Sequence, residues 1–242
     1  ENTSLFRVRG ESGYIRNIKQ FIVAVEHLPI QKELDVSPHW IELQASATKH
    51  ILTCETALQV VHFGQRVQSG FDQRQTQNSI ILDRVGKRQG VLKYIFGTDP
   101  VEIPGIYESK YSAPESLVRF KDRLFSTEVL WHAGFLLRIL KLVEFPRLRV
   151  LEIGGGYGGL ARLFSLSGRC AQYTIVDLAG SLPFSYAFLS LNFPERSIAL
   201  CATPDDVARS QDFDFVLVPS QITETLKGRS FDVAINTASI QE

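Results

Sequence analysis

Residues 148–159 constrain this chain more than any other stretch. They read Leu-Arg-Val-Leu-Glu-Ile-Gly-Gly-Gly-Tyr-Gly-Gly. An apolar run (Val150, Leu151, Ile153) stops at glycines, and an amphipathic run (Leu160, Leu163, Phe164, Leu166) follows. That order is strand, tight turn, helix. Glycines let the backbone pass close to a ligand, and the start of a helix turns unpaired N–H groups toward it. A second apolar run, residues 173–176, ends in Asp177. A carboxylate at the tip of the second strand can accept both hydroxyls of a ribose. The pattern predicts a site for a nucleoside-bearing cofactor.

Two glycine registers overlap here. Gly154, Gly156 and Gly159 fit the G-x-G-x-x-G dinucleotide pattern; Gly154, Gly156 and Gly158 fit E-x-G-x-G-x-G, led by Glu152. A pyrophosphate is anionic and disfavours an acid beside the loop. S-adenosylmethionine carries a sulfonium and an ammonium and favours one. Glu152 therefore tilts the reading toward S-adenosylmethionine, while a nicotinamide-dependent oxidoreductase stays open as the alternative.

The wording of these segments resembles the sugar O-methyltransferase family. The similar segments are 150–162 (Val-Leu-Glu-Ile-Gly-Gly-Gly-Tyr-Gly-Gly-Leu-Ala-Arg), 173–178 (Tyr-Thr-Ile-Val-Asp-Leu) and 231–242 (Phe-Asp-Val-Ala-Ile-Asn-Thr-Ala-Ser-Ile-Gln-Glu). The resemblance implies a Rossmann-like methyltransferase sheet, S-adenosylmethionine as donor and a sugar hydroxyl as acceptor. The expected cofactor-binding set is Glu152, Gly154, Gly155, Gly156, Tyr157, Asp177, Leu178, Ser220, Asn236 and Thr237. Glu152 and the glycine backbone would hold the methionine end and Asp177 the ribose. Ser220 would lie near the adenine, with Asn236, Thr237 and Ser239 at the mouth where the methyl faces.

Methyl transfer to a hydroxyl needs in-line positioning and a base to take the proton. Glu242, at the end of the family-like run, and His132 are the candidate bases; His50 and His62 follow. No metal is expected: Asp205 and Asp206 are adjacent and read as a solvated loop, and Asp212, Asp214 and Asp232 as solubilising strand ends.

The chain is expected to be α/β, with a mostly helical region at 1–114 and a Rossmann-like S-adenosylmethionine-binding domain at 115–242. Helices are expected at 14–28, at 39–67 (as one helix or broken), at 80–96 (as one helix or as helix–loop–helix around Gly86 and Gly90), and at 116–145. Residues 97–114, rich in Pro and Gly, read as a boundary or a lid. There Tyr107 and Tyr111 are expected to anchor the loop, with stacking on a sugar as the functional alternative. Trp131 is expected in the core, and His132 at the surface or in a cap. The strands legible here are fewer than a complete methyltransferase sheet holds, so the sheet reads as incomplete at its C-terminal end.

Formal net charge is zero across 242 residues, which points to neither nucleic acid nor an anionic membrane. No apolar run approaches the ~20 residues of a membrane-spanning helix. Three scattered cysteines (Cys54, Cys170, Cys201) without metal-ligand spacing fit a reducing cytoplasm. The expected partner is a small sugar or glycoside, with a homodimer through the helical region as a further option. A third class, a non-catalytic methyltransferase-like module, is compatible with the same pattern.

Overall fold

A computed structural model describes residues 10–26, 28, 38–68, 78–112, 118–120 and 122–237. The expectations on Ser239 and Glu242 fall outside them. Four helices come first: α1 (Glu11–Val25), α2 (Pro38–Thr53), α3 (Ala57–Gln68) and α4 (Asn78–Phe96). The 39–67 segment is broken, between α2 and α3. The 80–96 segment is one helix, not two. Gly86 and Gly90 keep helical backbone, and a Cβ added at either would meet nothing within 4 Å. Buried Val85 and Leu92 hold α4 to the body.

The expected helix at 116–145 is corrected at its start. Strands β1 (Val118–Phe120) and β2 (Arg123–Phe125) pair as an antiparallel hairpin. Helix α5 (Thr127–Leu142) begins only after Ser126, whose Oγ accepts the Val129 N–H at 3.0 Å. A serine cap at that point satisfies an N–H that a longer helix would have bonded to its own backbone.

The rest is a parallel sheet with its crossovers. The elements are β3 (Leu148–Ile153), α6 (Gly159–Leu166), β4 (Cys170–Asp177), α7 (Leu182–Asn192), β5 (Ile198–Leu200), α8 (Pro204–Arg209), β6 (Phe215–Pro219) and β7 (Val233–Asn236). Strand order is β5-β6-β4-β3-β7, and every pairing is parallel. This is a mixed α/β architecture compatible with a Rossmann-like fold. From β3 the chain adds β4 beside it, places β5 at the far edge, fills the gap with β6 and crosses to the other side of β3 as β7. Order reverses at β3, and open α/β sheets bind ligands beyond the carboxyl ends of strands at such a point.

Strand periodicity splits the core between two faces. Val150, Tyr173, Ile175, Phe215 and Leu217 belong to the larger apolar cluster. Val176, Ala199, Val216 and Val218 form the smaller one with Val207 and Ile222. The larger cluster runs without a break into the helical region: Ile18 and Phe21 of α1 and Val60 and Val61 of α3 share it with Phe184 and Phe188 of α7. Gly64 makes the α3–α7 contact close, since a Cβ there would lie 2.5 Å from Phe184 Cγ. Among the described residues, no helix is long and apolar enough to cross a membrane.

Candidate functional site

Register places the carboxyl ends of the central strands at one edge. Ile153 pairs with both Val176 and Asn236, and Asp177 pairs with Pro219. The glycine loop, Asp177 and Leu178, Ser220, and Asn236 with Thr237 therefore leave the sheet together. Within the loop, Gly154, Gly156 and Gly158 have φ of 77°, 55° and 86°, values that side chains rarely tolerate. Gly155 and Gly159 are needed for space instead. A Cβ on Gly155 would lie 2.6 Å from Ile175 Cγ2, and one on Gly159 would lie 2.5 Å from His132 Cε1. Both glycine registers seen in the sequence are thus used structurally, so spacing alone does not choose between cofactors.

The acids are more informative. Glu152 shares its face of β3 with Leu148 and Val150, so its side chain points into the core and is 2% exposed. The Tyr173 hydroxyl donates to its Oε2 at 2.9 Å, and the same oxygen would lie 3.1 Å from a Cβ on Gly155. The carboxyl therefore sits directly beneath the loop. Burial pushes it up to about 8; the Tyr173 bond works against this rise and the nearby Asp177 charge adds to it. Asp177 itself accepts the N–H of Gly156 through Oδ2 at 2.8 Å and that of Leu178 through Oδ1 at 2.7 Å. Burial raises it to about 6 despite those bonds. Asp177 thus ties the second strand to the glycine loop. With the Ser181 side chain also bonded to it, about one of its roughly four acceptor positions stays open for a ligand hydroxyl.

Helix α6 is preceded by Gly158, a left-handed cap that supplies no side-chain acceptor for the first-turn N–H groups. From the side of α7, Ser185 Oγ donates to Gly156 O at 2.5 Å. At the other strand ends, Asn236 Nδ2 donates to Ile153 O at 3.3 Å, and Ser220 Oγ lies 3.3 Å from Gln221 Oε1. Thr237 is half-buried beside them.

Tyr157 and His132 are drawn away from this edge into a second cluster. Their rings meet edge to face, 5.9 Å apart, and Tyr157 meets Phe188 likewise at 5.1 Å. The expectation for α5 is reversed: Trp131 is 47% exposed, whereas His132 Nδ1 is buried without a hydrogen-bond partner. Helix phase explains it, because Val129, Leu130, Ala133 and Leu136 define the buried side and Trp131 falls opposite. Burial lowers His132 to about 4, so it is neutral at pH 7 and a weak base.

Several acids read as solvated are structural. Asp206 is fully buried in a capping box with Thr203 at the start of α8. Asp214 accepts the backbone N–H and Oγ–H of Ser197 at 2.9 and 2.8 Å, and Asp232 accepts the Arg149 N–H at 2.7 Å. Among the described residues, no three His, Cys, Asp or Glu side chains gather as a metal site.

One polar network behind the loop is invisible to motif reading. Buried Glu108 accepts from Ser109 N at 2.9 Å, from Ser112 Oγ at 2.6 Å and from the Ser126 hydroxyl. Arg162 of α6, also buried, donates to Asn192 Oδ1 at 2.9 Å and to Tyr107 O at 2.7 Å. These bonds fasten the 97–112 segment to α5, α6 and α7. Tyr107 anchors it further beneath the Arg162 guanidinium, 5.0 Å from the ring centre. The partners lie far apart in sequence; the available signal was an arginine inside the otherwise apolar α6. The chain matches no model of a known protein family and no curated protein.

Proposed function

We propose that the chain binds S-adenosylmethionine at the glycine edge and belongs to a methyltransferase acting on a sugar hydroxyl. The observation that carries this reading is the buried carboxyl of Glu152 beneath Gly155, beside a second acid at Asp177. Burying an acid without a cationic partner is costly. A cation seated over the loop would supply that partner to the ionised carboxyl, whereas a pyrophosphate would disfavour its ionisation.

The residues present fit the cofactor's chemistry. The uncapped start of α6 suits its carboxylate, Glu152 its positive end and Asp177 its ribose hydroxyls. When bound, the cofactor supplies an activated methyl group. The chain's own contribution is to hold the loop rigid through Asp177 and Ser185 and to keep Glu152 poised to ionise. At pH 7 Glu152 holds its proton in most molecules, and a bound cation favours its release. Affinity for S-adenosylmethionine therefore rises as pH goes from about 6 to about 8.

Titration calorimetry with S-adenosylhomocysteine and with NADH tests the reading. Saturable binding of the homocysteine compound but not of NADH supports it. Saturable binding of NADH alone overturns it in favour of a dinucleotide enzyme, and binding of neither leaves a non-catalytic module.

A further inference from the structure

A groove of about 970 Å³ lies between α4 and α5. Its lining is lopsided in charge: Arg84, Lys87, Arg88 and Arg138 against the single acid Glu128. Arg88 is held in place. Its guanidinium lies 4.5 Å from the Trp131 ring centre, and its Nη1 reaches Thr127 O at 3.5 Å. A guanidinium held over an indole keeps other N–H groups of its planar fork, the group that a carboxylate or phosphate can meet with two parallel bonds.

The remaining wall is apolar, made by Val91, Ile95 and Phe135. The floor is polar and incompletely bonded, for Glu128 Oε2 is buried without a partner. An unmet buried acceptor costs free energy that an incoming hydroxyl would recover. Tyr157 lines the groove as well, and its chain neighbour Gly156 is held by Asp177. The groove therefore abuts the glycine loop.

We propose that this groove binds an acidic sugar, with its phosphate or carboxylate on Arg88, a carbon face on the apolar wall and a hydroxyl on Glu128. The sugar identity rests on the transferase reading above; the preference for an anion joined to an apolar face comes from the groove alone.

Calorimetry and tryptophan fluorescence with glucose 6-phosphate, glucuronate, glucose and inorganic phosphate test it. At least one acidic sugar should bind roughly ten-fold or more tightly than glucose or phosphate, and the two acidic arms tell phosphate from carboxylate. Arg88→Gln should weaken that binding by roughly ten- to a hundred-fold, with an unchanged circular-dichroism spectrum. Arg88→Lys, which keeps the charge but not the fork, should fall between. Trp131→Phe should abolish the optical change at Trp131 while calorimetry still detects the ligand.

Equal affinity for glucose and the acidic sugars, no binding of either acid, or binding indifferent to Arg88→Gln overturns the proposal. S-adenosylhomocysteine measured on the same samples separates the two claims. Its binding without any acidic sugar leaves the transferase reading and removes the groove. The converse keeps an anion groove and removes the transferase.

Discussion

The glycine edge of the sheet and the α4–α5 groove differ in charge and in what they ask of glycine. The edge is acidic, with Glu152 and Asp177 bordering the loop. The groove is basic, with four cationic side chains against Glu128. A formal net charge of zero, 26 basic against 26 acidic side chains across the chain, therefore conceals a local difference between the two sites. Net charge constrains what the whole surface attracts, but a site answers to the groups within a Debye length of it. The glycines divide likewise. Those from 154 to 159 meet positive φ or a close neighbour, whereas Gly86 and Gly90 of α4 meet neither.

Arg162→Ala should have the largest effect, because Arg162 is a buried charge on α6, the helix that follows the glycine loop. The residue is 4% exposed and its guanidinium is bonded to Asn192 and Tyr107. Glu108 lies close enough to favour its charged form, which burial disfavours. Removing one partner from such a buried charged network costs about 3–5 kcal/mol. Urea unfolding followed by circular dichroism reads it. A loss well under 1 kcal/mol would mean that the 97–112 segment is held by its apolar contacts alone.

Gly155→Ala comes next and separates space from backbone strain. Its φ is not in the left-handed range, but the new methyl would sit 2.6 Å from Ile175 Cγ2. Overpacking of that kind costs about 1–3 kcal/mol. Because Glu152 Oε2 lies on the same side, loss of S-adenosylhomocysteine binding should exceed what stability alone predicts. Thermal unfolding with and without the ligand distinguishes the two.

Glu152→Gln sharpens the charge contrast through pH. The folded protein holds the Glu152 proton up to about pH 8, while an unfolded chain releases it near the usual glutamate value, about 4.3. Between those values the native state binds more protons than the unfolded state. This group therefore makes stability fall as pH rises through that window, by up to about 1.4 kcal/mol per unit. Glutamine keeps an acceptor for the Tyr173 hydroxyl and removes the titration. The variant should be more stable than the parent at pH 8 and lose less on going from pH 6 to pH 8. Parallel pH profiles in the two proteins would place the Glu152 carboxyl in a more polar setting than its burial implies.

What was legible in the sequence follows from how local the cause is. The strand–turn–helix at 148–166 announces itself because neighbouring residues make it. The same parity that buries Val150 also buries Glu152, so the inward aim of that acid could have been read from alternation alone. Hydrophobicity by itself puts Trp131 in the core, and helix phase overrules it. The hairpin at 118–125 was hidden because Leu124, Val129 and Leu130 extend a plausible helical stripe across it. The Glu108–Arg162 network was out of reach, since Arg162 meets Tyr107 from 55 positions away and Asn192 from 30. No spacing rule links such partners. The basic groove was equally hidden, because α4 and α5 each look like ordinary amphipathic helices until they face one another.

The smallest effect expected is a gain. Gly86 lies in the interior of α4 with helical backbone and open space where a methyl would go. Alanine there removes backbone freedom from the unfolded chain and adds no clash, so Gly86→Ala should stabilise by about 0.5–1 kcal/mol. The same substitution at Gly155 destabilises, and the opposite signs follow from surroundings, not from residue type. A loss at Gly86 would mean that α4 bends there in solution, as two shorter helices would. Since Arg84, Lys87 and Arg88 flank that position on the groove, such a bend would also move the cations that give the groove its charge. Gly86→Ala therefore tests the straightness of α4 and, through it, the arrangement on which anion binding depends.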